Sequence, residues 1–168
     1  MEIRTIPAFI DYYQRIRSRT DKLVLLLPPD RLEWKYSPDK YSCGDIVRHI
    51  AAMERLMYLE SIAANRSLYS GCGRDLADGI DEVMNYYNRL RGDSMRLLFQ
   101  LRDEDLQKKC TTPGGIQITV WKWLRAMIEH EVHHRGQLYM YLGMFGIDTP
   151  PIFGLTAEEV QQQYKGPV

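Results

Sequence analysis

The chain has 168 residues, of which 45% are hydrophobic and 26% are charged. These proportions are typical of a globular protein with a substantial core, and we expect a single domain over residues 1–168. Lysine plus arginine and aspartate plus glutamate both number 22, so the formal net charge is zero. This balance disfavours nucleic acid and anionic membranes as partners, because both require a basic surplus on the protein surface.

Three further features predict a soluble, cytoplasmic protein. The N-terminal segment mixes charged with apolar residues, unlike a signal peptide, and no apolar run approaches the roughly 20 residues that span a bilayer. The cysteines Cys43, Cys72 and Cys110 are widely separated, so they indicate neither a disulfide framework nor a metal knuckle. We therefore expect reduced thiols that are mostly buried.

Two long amphipathic helices are predicted in the first part of the chain. The first covers residues 6–27, with Thr5 as a potential N-cap and a pair of prolines as the stop signal. A turn-rich connector follows it. Ser42 and Asp45 then form the S-x-x-D pattern of a capping box, which begins a second helix that ends near residue 64.

The second part of the chain predicts two more long helices, over residues 80–101 and 120–144. Between them, residues 108–119 contain Pro-Gly-Gly flanked by Thr, Ile and Val, which indicates a small hairpin-like loop. Thr156 and Glu159 predict the capping box of a short C-terminal helix. Four amphipathic helices without long strand patterns predict an all-α helical bundle.

All four histidines lie on two of these helices, His49 on the second and the other three on the fourth. A helix advances about 100° per residue, so His130 and His134 differ by about 40° and face the buried side, whereas His133 points away from it. His49 also lies at the edge of a buried face. Three inward imidazoles would all be satisfied by one divalent transition metal, and hydrogen-bonded core histidines are the alternative.

Glu131 follows the first of these histidines on the fourth helix and is a candidate general base for metal-bound water. The alternative is an ion pair with Arg135, four residues later. Residues 130–134 also satisfy the H-E-x-x-H pattern of zinc peptidases. Such a peptidase needs a third ligand downstream, where only Glu158 and Glu159 are available, so this pattern is a weak indication.

Three stretches resemble the DinB/YfiT-like superfamily. Residues 42–50, Ser-Cys-Gly-Asp-Ile-Val-Arg-His-Ile, resemble the family's S-x-x-[DE]-[IL]-x-x-H-[IL] helix start. Residues 130–138 contain the more specific H-x-x-x-H-R-G-Q signature. Residues 150–156, Pro-Pro-Ile-Phe-Gly-Leu-Thr, are similar to the family's usual ending after that helix.

The resemblance implies an up-down-down-up four-helix bundle, commonly a homodimer, with metal ligands at His49, His130 and His134. These are the residues that the helical geometry also selects. Family members with known activity are mostly metal-dependent transferases or isomerases that use low-molecular-weight thiols such as bacillithiol or mycothiol, and hydrolases have also been proposed.

We therefore expect a metal-dependent enzyme in which Zn or Ni activates a small thiol or water for attack on a small-molecule substrate. It would be an S-transferase or a hydrolase. The alternatives are a metal-binding stress or sensor protein without turnover, a structural bundle whose histidines bind nothing, and an H-E-x-x-H metallopeptidase.

Overall fold

The computed structural model describes residues 2–164. Its helices and strands, in chain order, are α1 (Ile6–Val24), α2 (Cys43–Ala52), α3 (Glu60–Ala64), α4 (Ile80–Leu98), β1 (Lys109–Thr111), β2 (Gln117–Thr119), α5 (Val120–Met144) and α6 (Ala157–Tyr164). Short 3-10 turns lie at Pro29–Arg31, Arg74–Leu76 and Asp103–Gln107. A π-helical segment, Met53–Leu59, joins α2 to α3 without a break, so these elements form one long helix.

Two apolar clusters establish the helix directions. One contains the beginnings of α1 and α5 together with the end of α4, including Ile6, Val120 and Leu98. The other contains the ends of α1 and α5 together with the beginnings of α2 and α4, including Val47 and Leu142. α1 and α5 are therefore parallel, and α2–α3 and α4 run in the opposite direction. This is the up-down-down-up four-helix bundle that was predicted.

The predicted helix ends are correct for α5 and slightly late for two other helices. α1 ends at Val24 and α4 ends at Leu98, each three residues before the predicted end. In both places the helix tightens into a final 3-10 turn. The amide of Leu27 donates to the Val24 carbonyl at 3.3 Å, and the amide of Leu101 donates to the Leu98 carbonyl at 3.2 Å.

One of the two predicted N-caps at the start of long helices is confirmed and the other is wrong. The Asp45 amide donates to Ser42 Oγ at 2.9 Å and the Ser42 amide donates to Asp45 Oδ2 at 3.0 Å, which completes the capping box. Thr5 precedes α1, but its side chain accepts no capping bond. The Ile6 amide instead donates to Asp103 Oδ1 at 2.7 Å, so a residue distant in sequence satisfies this helix end.

The segments around α5 agree with the sequence prediction. β1 and β2 pair antiparallel with Cys110 opposite Ile118, forming the predicted hairpin. At the start of α6 the Glu159 amide donates to Thr156 Oγ1 at 3.1 Å, and the Thr156 amide donates back to Glu159 Oε2 at 2.6 Å. The three cysteines are free and buried.

A buried polar layer lies near the middle of the bundle. We use this name for Thr20, Glu54, Arg91, Ser94 and Glu131, which come from all four long helices and are nearly inaccessible to solvent. Among the described helices, none is both long and apolar enough to cross a membrane.

Candidate metal centre

The structure brings together the three histidines that were predicted as metal ligands. One nitrogen from each of His49, His130 and His134 lies within 4.8 Å of the other two. His49 Nε2 is 3.0 Å from His130 Nε2, and the rings of His130 and His134 have centroids 4.5 Å apart. The antiparallel packing of α2 against α5 creates this cluster, since the two helices contribute one and two histidines.

The donor set fits a divalent transition metal. A tetrahedral ion with metal–nitrogen distances of 2.0–2.1 Å separates its nitrogen ligands by about 3.3 Å. The observed His49–His130 separation of 3.0 Å is close to that value. Imidazole nitrogens suit Zn, Ni and Cu, whereas Mg and Ca prefer oxygen. The histidines therefore match the kind of metal that was predicted.

Burial keeps the three imidazoles neutral. Desolvation, with a smaller contribution from His134, lowers the pKa of His49 from 6.5 to about 4. Desolvation and the neighbouring imidazoles lower the pKa of His130 from 6.5 to about 3. Desolvation also lowers the pKa of His134. Neutral imidazole is the form that binds metals, so the cluster is ready to accept an ion at neutral pH without releasing protons.

Two side chains orient the histidines from behind. His134 Nδ1 donates to Gln137 Oε1 at 2.7 Å, which leaves Nε2 as the free ring nitrogen. His49 Nδ1 lies 2.6 Å from the Tyr69 hydroxyl, while its Nε2 faces His130. Such partners determine which ring nitrogen is available to the metal. Neither residue was assigned an orienting role from the sequence, although Gln137 is the glutamine of the H-x-x-x-H-R-G-Q signature. Gln137 could have been found from its i+3 position after His134, whereas Tyr69 lies in an irregular loop with no local signal.

Arg48, which precedes His49 on α2, hydrogen-bonds to the loop before α2 and to the loop after α3. Its side chain is fully buried and donates to Glu33 Oε1 at 2.8 Å, to the Cys72 carbonyl at 2.7 Å and to the Ala77 carbonyl at 2.9 Å. These bonds tie both the loop before α2 and the loop after α3 to α2 itself. Tyr41, on the first loop, places its ring 5.3 Å from that of His49.

Glu131 points into the polar layer. Its Oε1 accepts hydrogen bonds from Thr20 Oγ1 at 2.6 Å and from Arg91 Nη2 at 3.3 Å. The predicted partner Arg135 is not among its ion pairs in the described chain, and Arg135 Nη1 instead donates to the Ile16 carbonyl at 3.4 Å. Glu131 therefore forms an ion pair, as predicted, but its partner is Arg91 and the predicted partner Arg135 was wrong. A catalytic role for Glu131 stays a prediction.

In the structure, the two histidines of the H-E-x-x-H pattern belong to a cluster that differs from the ligand set of a zinc peptidase. His130 and His134 are indeed neighbours, but the third nitrogen comes from His49, far upstream. Of the two downstream candidates, Glu159 caps α6. With Glu131 bonded to α1 and α4, the described geometry gives the peptidase alternative no support beyond the spacing itself.

Comparison with known proteins gives the same fold. The uncharacterized protein YjoA of Bacillus subtilis (strain 168) is 22% identical over 146 residues, which is 86% of this chain and 93% of YjoA. Its crystal structure, described as DinB-like, matches with a TM-score of 0.70 at 20% identity, over 86% of this chain and 96% of that one. A DinB-like protein from Bacillus cereus ATCC 10987 matches with a TM-score of 0.76 at 18% identity, over 89% and 99% of the two chains.

A third crystal structure, that of the four-helix bundle protein TT2238, matches with a TM-score of 0.60 at 18% identity, over 79% of this chain and 98% of that one. At these identities the structural likeness establishes the fold alone. The sequence establishes the family, because residues 12–138, well over half of the chain, match the profile of the DinB superfamily. The chain therefore belongs to the DinB superfamily.

Proposed function

We propose that this protein is a metal-dependent enzyme that activates a low-molecular-weight thiol or water for attack on a small molecule, as an S-transferase or a hydrolase. The observation that carries the proposal is the cluster of three imidazoles whose nitrogens lie within 4.8 Å of one another. Zn and Ni are the proposed metals, since both accept imidazole ligands.

The number of protein ligands favours catalysis over a structural site. Among the described residues, the cluster consists of His49, His130 and His134 alone. Structural zinc sites usually have four protein ligands, whereas catalytic sites have three and leave one position for a reactant. A metal bound there supplies Lewis acidity, which lowers the pKa of a coordinated thiol or water.

The protein's own groups would prepare the site for this chemistry. Tyr69 and Gln137 hold two of the imidazoles in one orientation each, so little rearrangement is needed when the metal binds. His49 and His134 are buried, which strengthens electrostatic interactions at the site. The aromatic ring of Tyr41, 6.4 Å from that of His134, covers one side of the cluster.

Metal content and turnover together test the proposal. We expect about one Zn or Ni per chain by mass spectrometry of the untagged protein. The variant His134→Ala should lose the metal, whereas His133→Ala, which removes an exposed imidazole outside the cluster, should keep it. Thiol transfer or ester hydrolysis should be detectable in the wild type and absent in His134→Ala.

Two outcomes would contradict the proposal in different ways. A wild type that refuses added metal and shows no thermal shift with it would refute the metal site. Full occupancy without turnover on any thiol or ester would refute the enzyme and leave a metal-binding stress or sensor protein. We also propose a homodimer, by resemblance to the family, which light scattering with and without metal can test.

A further inference from the structure

The π-helical segment after α2 changes which residue faces the histidine cluster. In an uninterrupted α-helix Tyr58 would lie about 180° around the axis from His49, nine residues earlier, because each residue turns the chain by about 100°. The segment Met53–Leu59 turns by only about 80° per residue, since π-helical hydrogen bonds reach one residue further. Five such residues bring Tyr58 to within about 80° of the direction of His49.

The contacts of Tyr58 agree with this rotation. Its ring centroid is 5.7 Å from that of His130 and 4.5 Å from that of Trp123, and both partners lie on α5. π-helical turns are rare and occur frequently at functional sites. Here the π-helical segment places beside a proposed metal ligand an aromatic residue that α-helical geometry would have turned away.

Tyr58 lies on the open side of the cluster. His130 is the partly exposed histidine of the three, whereas His49 is 7% and His134 6% exposed. The ring of Tyr41 lies against the two buried histidines, at centroid distances of 5.3 and 6.4 Å. A reactant therefore reaches the cluster from the side of His130, where Tyr58 lies.

The hydroxyl of Tyr58 is available to a ligand. Among the described residues it has no hydrogen-bond partner, and its oxygen is not one of the partnerless atoms that are sealed from solvent. The hydroxyl of Tyr13, in contrast, is sealed in the core. A phenol keeps its proton at neutral pH, so Tyr58 can donate one hydrogen bond to a molecule held beside His130.

The charge at the cluster favours an anionic ligand once a divalent ion is bound. Imidazole binds metals in its neutral form, so three histidines leave both charges of the ion uncompensated. The carboxylates on either side of His130 in the sequence are engaged elsewhere, Glu129 with Arg125 and Glu131 with Arg91, at 3.3 Å in each case. An oxyanion is therefore attracted to the open side, and a hydrogen bond to a charged oxygen is stronger than one to a neutral oxygen.

We propose that Tyr58 contacts the substrate, with its hydroxyl donating a hydrogen bond to an anionic oxygen, such as that of a carboxylate, on the reactant at the histidine cluster. The inference rests on the proposed function for the bound metal. It adds the group that holds the reactant and the chemical class of that reactant.

Binding of acetate to the cobalt form of the full chain tests this assignment. Imidazole ligands suit Co²⁺ as well as Zn, and the visible absorption of Co²⁺ reports both its own binding and that of an added ligand. We expect the wild type to bind Co²⁺ and then acetate. Tyr58→Phe should leave the Co²⁺ affinity unchanged and weaken acetate binding about tenfold or more, because it removes a hydrogen bond to a charged oxygen and keeps the ring.

Tyr139→Phe is the matched control, since Tyr139 lies on α5, is 39% exposed and has none of the described ring contacts with the histidines. It should change neither affinity. The assignment is overturned if acetate binds Tyr58→Phe as tightly as the wild type, or if Tyr139→Phe weakens acetate binding as much. It is also overturned if Tyr58→Phe weakens Co²⁺ binding as much as acetate binding, which would show a purely structural role.

The same titrations separate this inference from the proposed function. A wild type that binds Co²⁺ but not acetate would refute the inference and leave the metal site intact. A wild type that does not bind Co²⁺ would refute the metal site, and the inference with it.

Discussion

Arg91→Met should destabilise the bundle strongly. Arg91 is only 2% exposed and lies in the polar layer between two buried carboxylates. Its Nη2 is 3.3 Å from Glu131 Oε1 and its Nε is 3.9 Å from Glu54 Oε2. Methionine fills much of the same space but removes the charge. The carboxylates of Glu54 and Glu131 would then face each other. Among the described residues, the cation that remains in contact with this pair is Arg17, 3.9 Å from Glu54.

The expected loss of stability follows from the burial of the carboxylates that Arg91 contacts. Removing one partner of a buried ion pair typically costs about 3–5 kcal/mol, because the other charge is left desolvated and uncompensated. The additional contact of Arg91 with the half-exposed Asp21 should add at most about 1 kcal/mol. Since domains of this kind are stable by about 5–15 kcal/mol, the loss is a large fraction of the total. It corresponds to a fall in Tm on the order of 10 °C for a chain of this size.

The loss should depend on pH. Burial raises the pKa of Glu131 above its ordinary value of 4.5, and the charge of Arg91 opposes that rise. Without Arg91 the pKa of Glu131 rises further. A carboxyl with a raised pKa in the folded state keeps a proton that the unfolded chain releases, so stability falls as pH rises from the unfolded pKa towards the folded one. The deficit of Arg91→Met should therefore be larger at pH 8 than at pH 5.

Urea denaturation of the wild type and variants at both pH values checks this reasoning. Arg89→Met is the matched control, because Arg89 is exposed on the same helix and touches only the ring of Tyr86 among the described aromatic contacts. It should change stability by less than about 0.5 kcal/mol. The double variant Arg91→Met/Glu131→Met should recover part of the loss. A deficit no larger than that of Arg89→Met, or one that grows as the pH falls, would refute the account.

Three other predictions concern the cluster and its supports. Ser42→Ala should lower the free energy of unfolding by about 1 kcal/mol in urea denaturation, because it removes the side-chain acceptor of the α2 capping box, and an unchanged midpoint would contradict this. Tyr69→Phe and Gln137→Ala should each weaken zinc binding about 10–100-fold in competition with a chromogenic chelator, and unaltered affinity would show that neither residue orients its histidine. Acidifying the metal-free protein from pH 7.5 to 5.5 should lower the free energy of unfolding in urea denaturation by about 3 kcal/mol, or about 1.4 kcal/mol for each of His49 and His130. With pKa values of about 4 and about 3, these two imidazoles stay neutral in the fold, whereas in the unfolded chain they bind protons near pH 6.5. Stability that rises on acidification would contradict the burial of these imidazoles.

Features that depend on neighbouring residues were predictable from the sequence. The caps at Ser42 and Thr156 are local hydrogen bonds within one turn, and they form as predicted. The inward direction of His130 and His134 follows from the rotation of an α-helix, which is the same in every protein. The bounds of α5 are correct for a related reason, since its apolar periodicity and its glycine stop signal are both local.

Contacts between distant elements could not be predicted in this way. Thr5 had the right residue type for a cap, yet Asp103 satisfies the helix end because the loop before the hairpin packs against it. Glu131 pairs with Arg91 on α4 rather than with Arg135, since a buried carboxylate takes the cation that the neighbouring helix presents. Tyr69 reaches His49 from a loop with no periodic pattern.

By itself the sequence determined the four helices, their buried faces and the three histidines that point inward from two of them, because helical rotation and capping act over only a few residues. Tertiary structure alone decided that α2 meets α5 at the level of His49, which brings three nitrogens within 4.8 Å. It also decided which residues orient those imidazoles and which residue lies on the open side of the cluster. These depend on how helices and loops pack, and packing is set by the whole core rather than by any one segment.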